Sequence, residues 1–161
     1  MRALSPIEVA AGFAVIGSLL AVMTPAFIKN LHASSMTEAL SGLQQISARA
    51  TALAEAAPQT AAYPPSAPLT PTNVPRATLV VDPPGTWSHP TWRLLAFELT
   101  GPHAYSFQFD SHNAADRSTF SAEARGDLDG DGVLSTFRIT GSVTPGNAPQ
   151  LGVLEVMREV E

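Results

Sequence analysis

Residues 5–28 read SPIEVAAGFAVIGSLLAVMTPAFI, and the interpretation of the whole chain depends on this stretch. It is apolar from Val9 to Met23, apart from small residues, and it carries one acid, Glu8, near its start. An N-terminal apolar run of this length, joined to a longer polar chain, indicates a helix that inserts into a membrane. An ionisable group at the edge of such a segment is costly and therefore needs a partner.

Glu8 has a structural explanation beside any functional one. Ser5, Pro6 and Glu8 have the pattern of a capping box, with serine at the N-cap, proline at the first helical position and glutamate at the third. In that role the carboxylate accepts backbone N–H groups and complements the helix dipole. The capping pattern alone leaves both explanations of the acid open.

The helical pattern continues beyond Pro25. Apolar residues recur three to five positions apart between Ile28 and Leu53, and the residues between them are mainly polar. An apolar half therefore passes into an amphipathic half without a turn signal. We expect one long helix that ends near Ala56 and is weakest at Gly17 and Pro25.

Proline content divides the rest of the chain. Six of the 14 prolines lie between Pro58 and Pro75. We expect residues 58–75 to be an extended linker loop that does not pair in a sheet, because proline has no N–H to donate. The linker would join the helical segment, residues 1–57, to a globular head, residues 76–161.

The head shows the period of two that is typical of strands, most clearly where Tyr105, Phe107 and Phe109 alternate with polar residues. An Asp-Gly turn joins two further runs as a hairpin. The candidate strands are Arg76–Asp82, Trp92–Leu99, the run around Tyr105, the hairpin arms Thr119–Leu128 and Val133–Ser142, and Leu151–Glu161. The sequence predicts an α+β fold, in which the amphipathic half of the helix packs on an antiparallel sheet of about four or five strands.

Composition and motifs argue against several function classes. The net charge is -5 with scattered acids, so no specific nucleic-acid partner is predicted. The chain has no cysteine, which excludes disulfides and thiol catalysis. It contains no Walker loop, dinucleotide fingerprint or G-x-S-x-G motif, and its four histidines are isolated in sequence. We expect no enzymatic activity and no resident cofactor apart from the calcium considered next.

One segment has the spacing of a calcium-binding loop. The candidate ligands are Asp127, Asp129, Asp131, the carbonyl of Val133 and the hydroxyl of Ser135. The position that supplies a bidentate glutamate in complete loops is Arg138, so the full motif is absent. A plain hairpin turn rich in Asp and Gly explains the same residues, and both interpretations stay open.

The N-terminal stretch resembles the type IV pilins and the related type II secretion pseudopilins. Glu8, Gly17 and Pro25 keep the spacing of the glutamate, glycine and proline of those proteins, and PAFIK at residues 25–29 is similar to the segment that follows in bacterial pilins. TEALSGL at residues 37–43 resembles their second helical half. The head is similar to that of some cysteine-free pilins.

The resemblance implies the pilin fold and a structural subunit, a major pilin, of an extracellular helical filament used for adhesion or motility. The subunit would lie in the bacterial inner membrane first, meet a prepilin peptidase and the pilus assembly machinery, and then polymerise with copies of itself. The residues implied in assembly are Leu4, Glu8, Phe13, Gly17 and Pro25. Leu4 would be the first mature residue, or Met1 if the chain is already trimmed, and Glu8 would be neutralised by a neighbouring N-terminal amine.

Three alternatives remain. The chain could be a pseudopilin or minor pilin, which acts in a short secretion piston or at a filament tip. It could instead be a membrane-anchored β-domain that binds a partner and never polymerises. A cleaved secretory signal is disfavoured, because the helical pattern continues past Pro25 and an acid lies where the apolar region should begin.

Overall fold

A computed structural model describes residues 36–56 and 61–157, which lie in a compact unit that spans residues 35–161. Helix α1 (residues 36–56) comes first and a mainly antiparallel β domain follows. The strands are β1 (Ala67–Thr70), β2 (Tyr105–His112), β3 (Ser118–Gly126), β4 (Ser135–Val143), β5 (Gln150–Leu151) and β6 (Glu155–Met157), with a short helix α2 (Pro90–Leu94) before β2. The α+β class is confirmed. The predicted part of the long helix before residue 36 lies outside the described residues.

The strands form one sheet in the order β1-β2-β3-β4-β5, and β6 also pairs with β4. All neighbouring strands are antiparallel. The six strands exceed the predicted four or five because β1 lies in the segment predicted to be a linker and the last candidate strand is interrupted at residues 152–154. Its two pieces, β5 and β6, share the outer side of β4.

Helix α1 covers one face of this sheet. Its buried apolar residues are spaced three or four apart, as one helix face requires: Ala39, Leu43, Ile46, Ala50 and Ala54. They share a core with the inward side chains of β2, namely Tyr105, Phe107 and Phe109. The amphipathic helix therefore covers the sheet as the sequence predicts, at least over residues 36–56.

Helix α1 approaches the sheet closely at Gly42. A Cβ atom on this residue would lie only 2.5 Å from the ring of Phe107. Around that ring lies an aromatic cluster in which Trp87 and Phe97 are 5.3 Å apart between ring centroids, and Phe97 and Phe107 are 4.9 Å apart. Trp92 completes the cluster at 5.4 Å from Trp87. Edge-to-face contacts of this kind add to the free energy of apolar burial.

Hydrogen bonds fix the position of α1 along the sheet. The Glu38 carboxylate accepts the backbone N–H groups of Ala104, at 3.1 Å, and Tyr105, at 3.2 Å. Burial raises the pKa of the Glu38 carboxyl above its usual value, and the two amide hydrogen bonds oppose this shift. About two turns further along, the Gln45 side chain donates to the carbonyl of Ala96 at 2.9 Å.

The expectation that the proline-rich segment cannot pair in a sheet was wrong. Strand β1 lies inside residues 58–75 and pairs with β2. It contains Pro68, but β1 is the edge strand of the sheet, where one side of the backbone needs no ladder partner. The proline content of this segment therefore did not reveal that it supplies the edge strand of the sheet.

Two of the candidate strands were also wrong. Residues 92–99 contain the end of α2 and a turn, because His89 and Pro90 provide an N-cap and a proline at the start of a helix. Residues 76–82 make only isolated bridges, from Arg76 to Asp127 and from Val80 to His103. Val133 was placed on the second hairpin arm, but it lies in the loop before β4.

We expect Gly42→Ala to destabilise the protein, although alanine favours helices by about 1 kcal/mol over glycine. The added methyl group would meet the fully buried Phe107 ring, and overpacking of this kind costs about 1–3 kcal/mol. Thermal or denaturant unfolding of the full chain in detergent measures the change. Gln44→Ala, at an exposed position of the same helix, is the matched control and should shift stability by less than about 0.5 kcal/mol. A Gly42→Ala protein more stable than wild type would contradict the close packing.

Candidate functional site

The loop between β3 and β4 brings three carboxylates together. Asp127, Asp129 and Asp131 each place a carboxylate oxygen within 4.8 Å of the other two. Asp127 is buried, whereas Asp129 and Asp131 are exposed. The three aspartates of the predicted calcium loop are therefore neighbours in space as well as in sequence.

Backbone amides of the same loop hold these carboxylates in place. The two oxygens of Asp127 accept from the N–H groups of Gly130, at 2.9 Å, and Gly132, at 3.2 Å. The Asp129 carboxylate accepts the backbone N–H of Asp131. The Asp131 carboxylate in turn accepts the backbone N–H of Val133 at 2.6 Å. Gly130 and Gly132 have φ values of 80° and 89°, which favour glycine. The sequence folds this way because Asp side chains and glycine backbones make these tight turns.

The fit to calcium is partial. Calcium takes six to eight oxygen ligands, and the three carboxylates supply the charge for such a site. Val133 contacts Asp131 through its amide N–H, and Ser135 begins β4. No contact described among these residues places the Val133 carbonyl or the Ser135 hydroxyl among the three carboxylates. The Arg76 guanidinium also lies 3.6 Å from Asp127 and would compete with a cation. The calcium site stays a prediction.

The outer face of the sheet carries an ion-pair network beside this loop. Arg138 and Arg125 both bind the side chain of Glu123, which is largely buried. Arg138 also lies 3.9 Å from Glu155 on β6. Burial alone would raise the pKa of Glu123, but the hydrogen bonds and charges of the two arginines outweigh it and lower that pKa. Arg138 thus belongs to this network and not to a cation loop.

Further along the same face, the sheet forms an open groove of about 580 Å³. Its walls are hydroxyl-rich, with Ser121, Thr140 and Ser142 among the lining residues, and His112 and Arg117 at one end. Arg117 donates to the Ser142 hydroxyl at 3.2 Å. The groove is shallow, and this bond already occupies two of its polar side chains.

A buried polar cluster lies on the opposite, helix-covered side, and sequence reasoning did not detect it. His103 is 1% exposed, and its Nε2 lies 3.0 Å from an oxygen of Asp82. The same Asp82 oxygen accepts the indole N–H of Trp87 at 2.8 Å. His103 was predicted to have a surface or packing role, and packing is what the structure shows. Because 21 residues separate Asp82 from His103, no local spacing could have paired them.

The predicted assembly residues, Leu4, Glu8, Phe13, Gly17 and Pro25, lie outside the described residues. Within residues 36–56 and 61–157, the structure contains no helix with the length and apolar character that a membrane span requires.

Comparison with known proteins identifies no relative: no family model matches the chain, no curated protein matches its sequence, and no solved structure matches its fold.

We expect calcium to stabilise the full chain in detergent if the aspartate loop binds it. At a calcium concentration of about ten times the dissociation constant, binding adds about 1.4 kcal/mol to the free energy of unfolding. Asp131→Asn should abolish this gain. The side-chain amide oxygen of the asparagine can still accept the Val133 N–H, but it carries no charge to bind calcium. Asp116→Asn, in the exposed β2–β3 loop, is the control that should keep it. Absence of heat in a calorimetric titration with millimolar calcium would refute calcium binding by the aspartate loop.

We expect Glu123→Gln to destabilise the protein by about 2 kcal/mol at neutral pH, because the charged hydrogen bonds from Arg125 and Arg138 are lost and the two arginines keep no acid between them. The lowered pKa means that the wild-type contribution is present above pH 4.5 and is lost as the pH falls through the folded-state pKa. The difference between variant and wild type should therefore shrink in acid. Unfolding curves at a series of pH values measure it, with Glu98→Gln as an exposed control. An unchanged difference at low pH would refute the ion-pair explanation.

Proposed function

We propose that this chain is the structural subunit of a type IV pilus-like filament, and that it polymerises through its N-terminal helix. The observation that carries the proposal is the order of segments. In the sequence, an apolar run with Glu8, Gly17 and Pro25 at pilin spacing precedes a helix that packs by one face on an antiparallel sheet. A membrane anchor alone would not require the anchor pattern to continue into a packed helix.

The exposed face of α1 supports the same proposal. Gln44, Ala48, Arg49 and Glu55 are exposed along the helix while its other face is buried in the head. A subunit of a helical filament needs one helix face held by its own head and another that neighbouring copies can contact. Copies joined in this head-to-tail manner form open polymers, because the contact does not close on itself.

Glu8 has a specific role in this scheme. In the bilayer, its carboxylate lies at the edge of an apolar segment and is costly to ionise there. In the filament, the N-terminal amine of a neighbouring copy would pair with it and offset part of the desolvation cost. The charge pair would set the register between copies, since an unpaired buried charge disfavours every other register.

We expect Glu8→Ala to reduce filaments in sheared cell-surface material to a small fraction of the wild-type amount, while the protein still reaches the membrane. Asp116→Ala, which removes an exposed acid from the β2–β3 loop, is the control and should assemble normally. Electron microscopy of the sheared material and mass spectrometry of the subunit N-terminus give the result. Normal filaments with Glu8→Ala would leave only the capping role.

The same preparation separates the alternatives. A pseudopilin or minor pilin would be scarce in sheared material although the filament itself is present. A membrane-anchored binding domain would stay in the membrane fraction and form no filament under any condition. Either result would replace the major-pilin proposal.

A further inference from the structure

Two Asp-Gly peptide bonds lie in the loop between β3 and β4, one at residues 129–130 and one at residues 131–132. An aspartate that precedes glycine can react spontaneously, because glycine has no side chain to hinder the attack. The glycine nitrogen loses its proton and bonds to the side-chain carboxyl carbon of the aspartate, and one water molecule leaves as a succinimide ring closes. Water then opens the ring. Opening at the backbone carbonyl gives isoaspartate, in which the main chain runs through the former side-chain carboxyl carbon.

Both attacking nitrogens are held by one carboxylate. The Gly130 N–H donates to Oδ1 of Asp127 at 2.9 Å, and the Gly132 N–H donates to Oδ2 of the same side chain at 3.2 Å. Before ring closure each nitrogen must leave this acceptor and turn towards the aspartate before it. Hydrogen bonds to a charged acceptor are among the stronger ones in proteins, so their loss adds to the barrier of the reaction.

The two carboxyl groups that would be attacked are also held away from the glycine nitrogens. The Asp129 carboxylate accepts the N–H of Asp131, and the Asp131 carboxylate accepts the N–H of Val133. Each carboxylate is therefore bonded to the amide two residues further on, whereas ring closure needs the amide one residue further on. At both Asp-Gly bonds the two reacting groups have other partners in the folded loop.

The acceptor at the centre of this arrangement is fixed from outside the loop. Asp127 is 1% exposed, and its backbone carbonyl accepts the N–H of Ala77 at 2.8 Å. The Arg76 guanidinium lies 3.6 Å from its carboxylate. A Cβ atom on Gly130 would lie 3.0 Å from that of Ala77, so the loop also packs closely on this neighbouring segment. The position of the Asp127 carboxylate therefore does not depend on the exposed residues that it protects.

We infer that Asp129 and Asp131 are latent sites of isoaspartate formation and that Asp127 protects both of them. The reaction needs no enzyme and no reagent besides water. Its product adds a methylene group to the main chain and shortens the side chain by the same group, so the turn that the two glycines make could no longer form as it stands. The protection concerns single subunits and requires neither filament formation nor a bound ion.

A first test needs no variant. The full chain is kept for weeks at neutral pH in detergent with a calcium chelator, either folded or unfolded in guanidinium, and peptide mapping measures isoaspartate at residues 129 and 131. We expect both sites to form it about tenfold or more slowly in the folded chain, since a charged hydrogen bond must break first. Equal rates in the folded and unfolded chains would overturn the inference.

Variants then separate the Asp127 carboxylate from the overall stability of the fold. Asp127→Ala leaves neither glycine an acceptor, so isoaspartate should form about tenfold faster at both sites. Asp127→Asn keeps one acceptor oxygen, so one site should be accelerated much more than the other. Gly42→Ala is the matched control, because it is expected to destabilise the core but changes nothing in the loop, and it should age as wild type does. Equal acceleration by Gly42→Ala and Asp127→Ala would show that global unfolding sets the rate and would refute the role of Asp127.

Discussion

The structure depends on how closely α1 approaches β2. Gly42 allows the helix backbone to lie against the Phe107 ring, and the aromatic cluster beneath it fills the space between helix and sheet. A larger residue there would separate the layers, and the hydrogen bonds of Glu38 and Gln45 to backbone groups beyond the helix would lengthen together. A change at this contact is therefore expected to displace the helix, the core side chains and the polar cluster near His103 together. A close-packed interior does not deform gradually.

The sequence predicted the parts of the fold that repeat with a clear period. Leu43, Ile46 and Ala50 recur at helical spacing, and Phe107 and Phe109 alternate with polar residues, so both faces were identifiable. Local signals failed where tertiary context decided the outcome. Trp92 and Leu95 fit a helix as well as a strand, and the proline cap before them decided for the helix. Pro68 argued against a strand, but a position at the sheet edge removes that objection.

The candidate sites divide in the same way. The aspartate loop is local, so the spacing of Asp127, Asp129 and Asp131 was enough to predict that their carboxylates converge. The contribution of Val133 and Ser135 was not predictable, because it depends on where β4 begins. The contact of Asp82 with His103 joins two loops through the core, and nothing in the local sequence around either residue indicates it.

The interruption between β5 and β6 matters for a protein that, in the proposed filament, would be present at high local concentration. Beyond β4, the chain offers two residues of β5, an interruption at residues 152–154, and three residues of β6. Gly152 bonds back to the Thr140 carbonyl across that interruption. An incoming strand from another molecule finds no continuous row of backbone donors and acceptors to extend. This edge of the sheet is thereby protected against uncontrolled edge-to-edge growth, and ordered association is left to other surfaces of the chain.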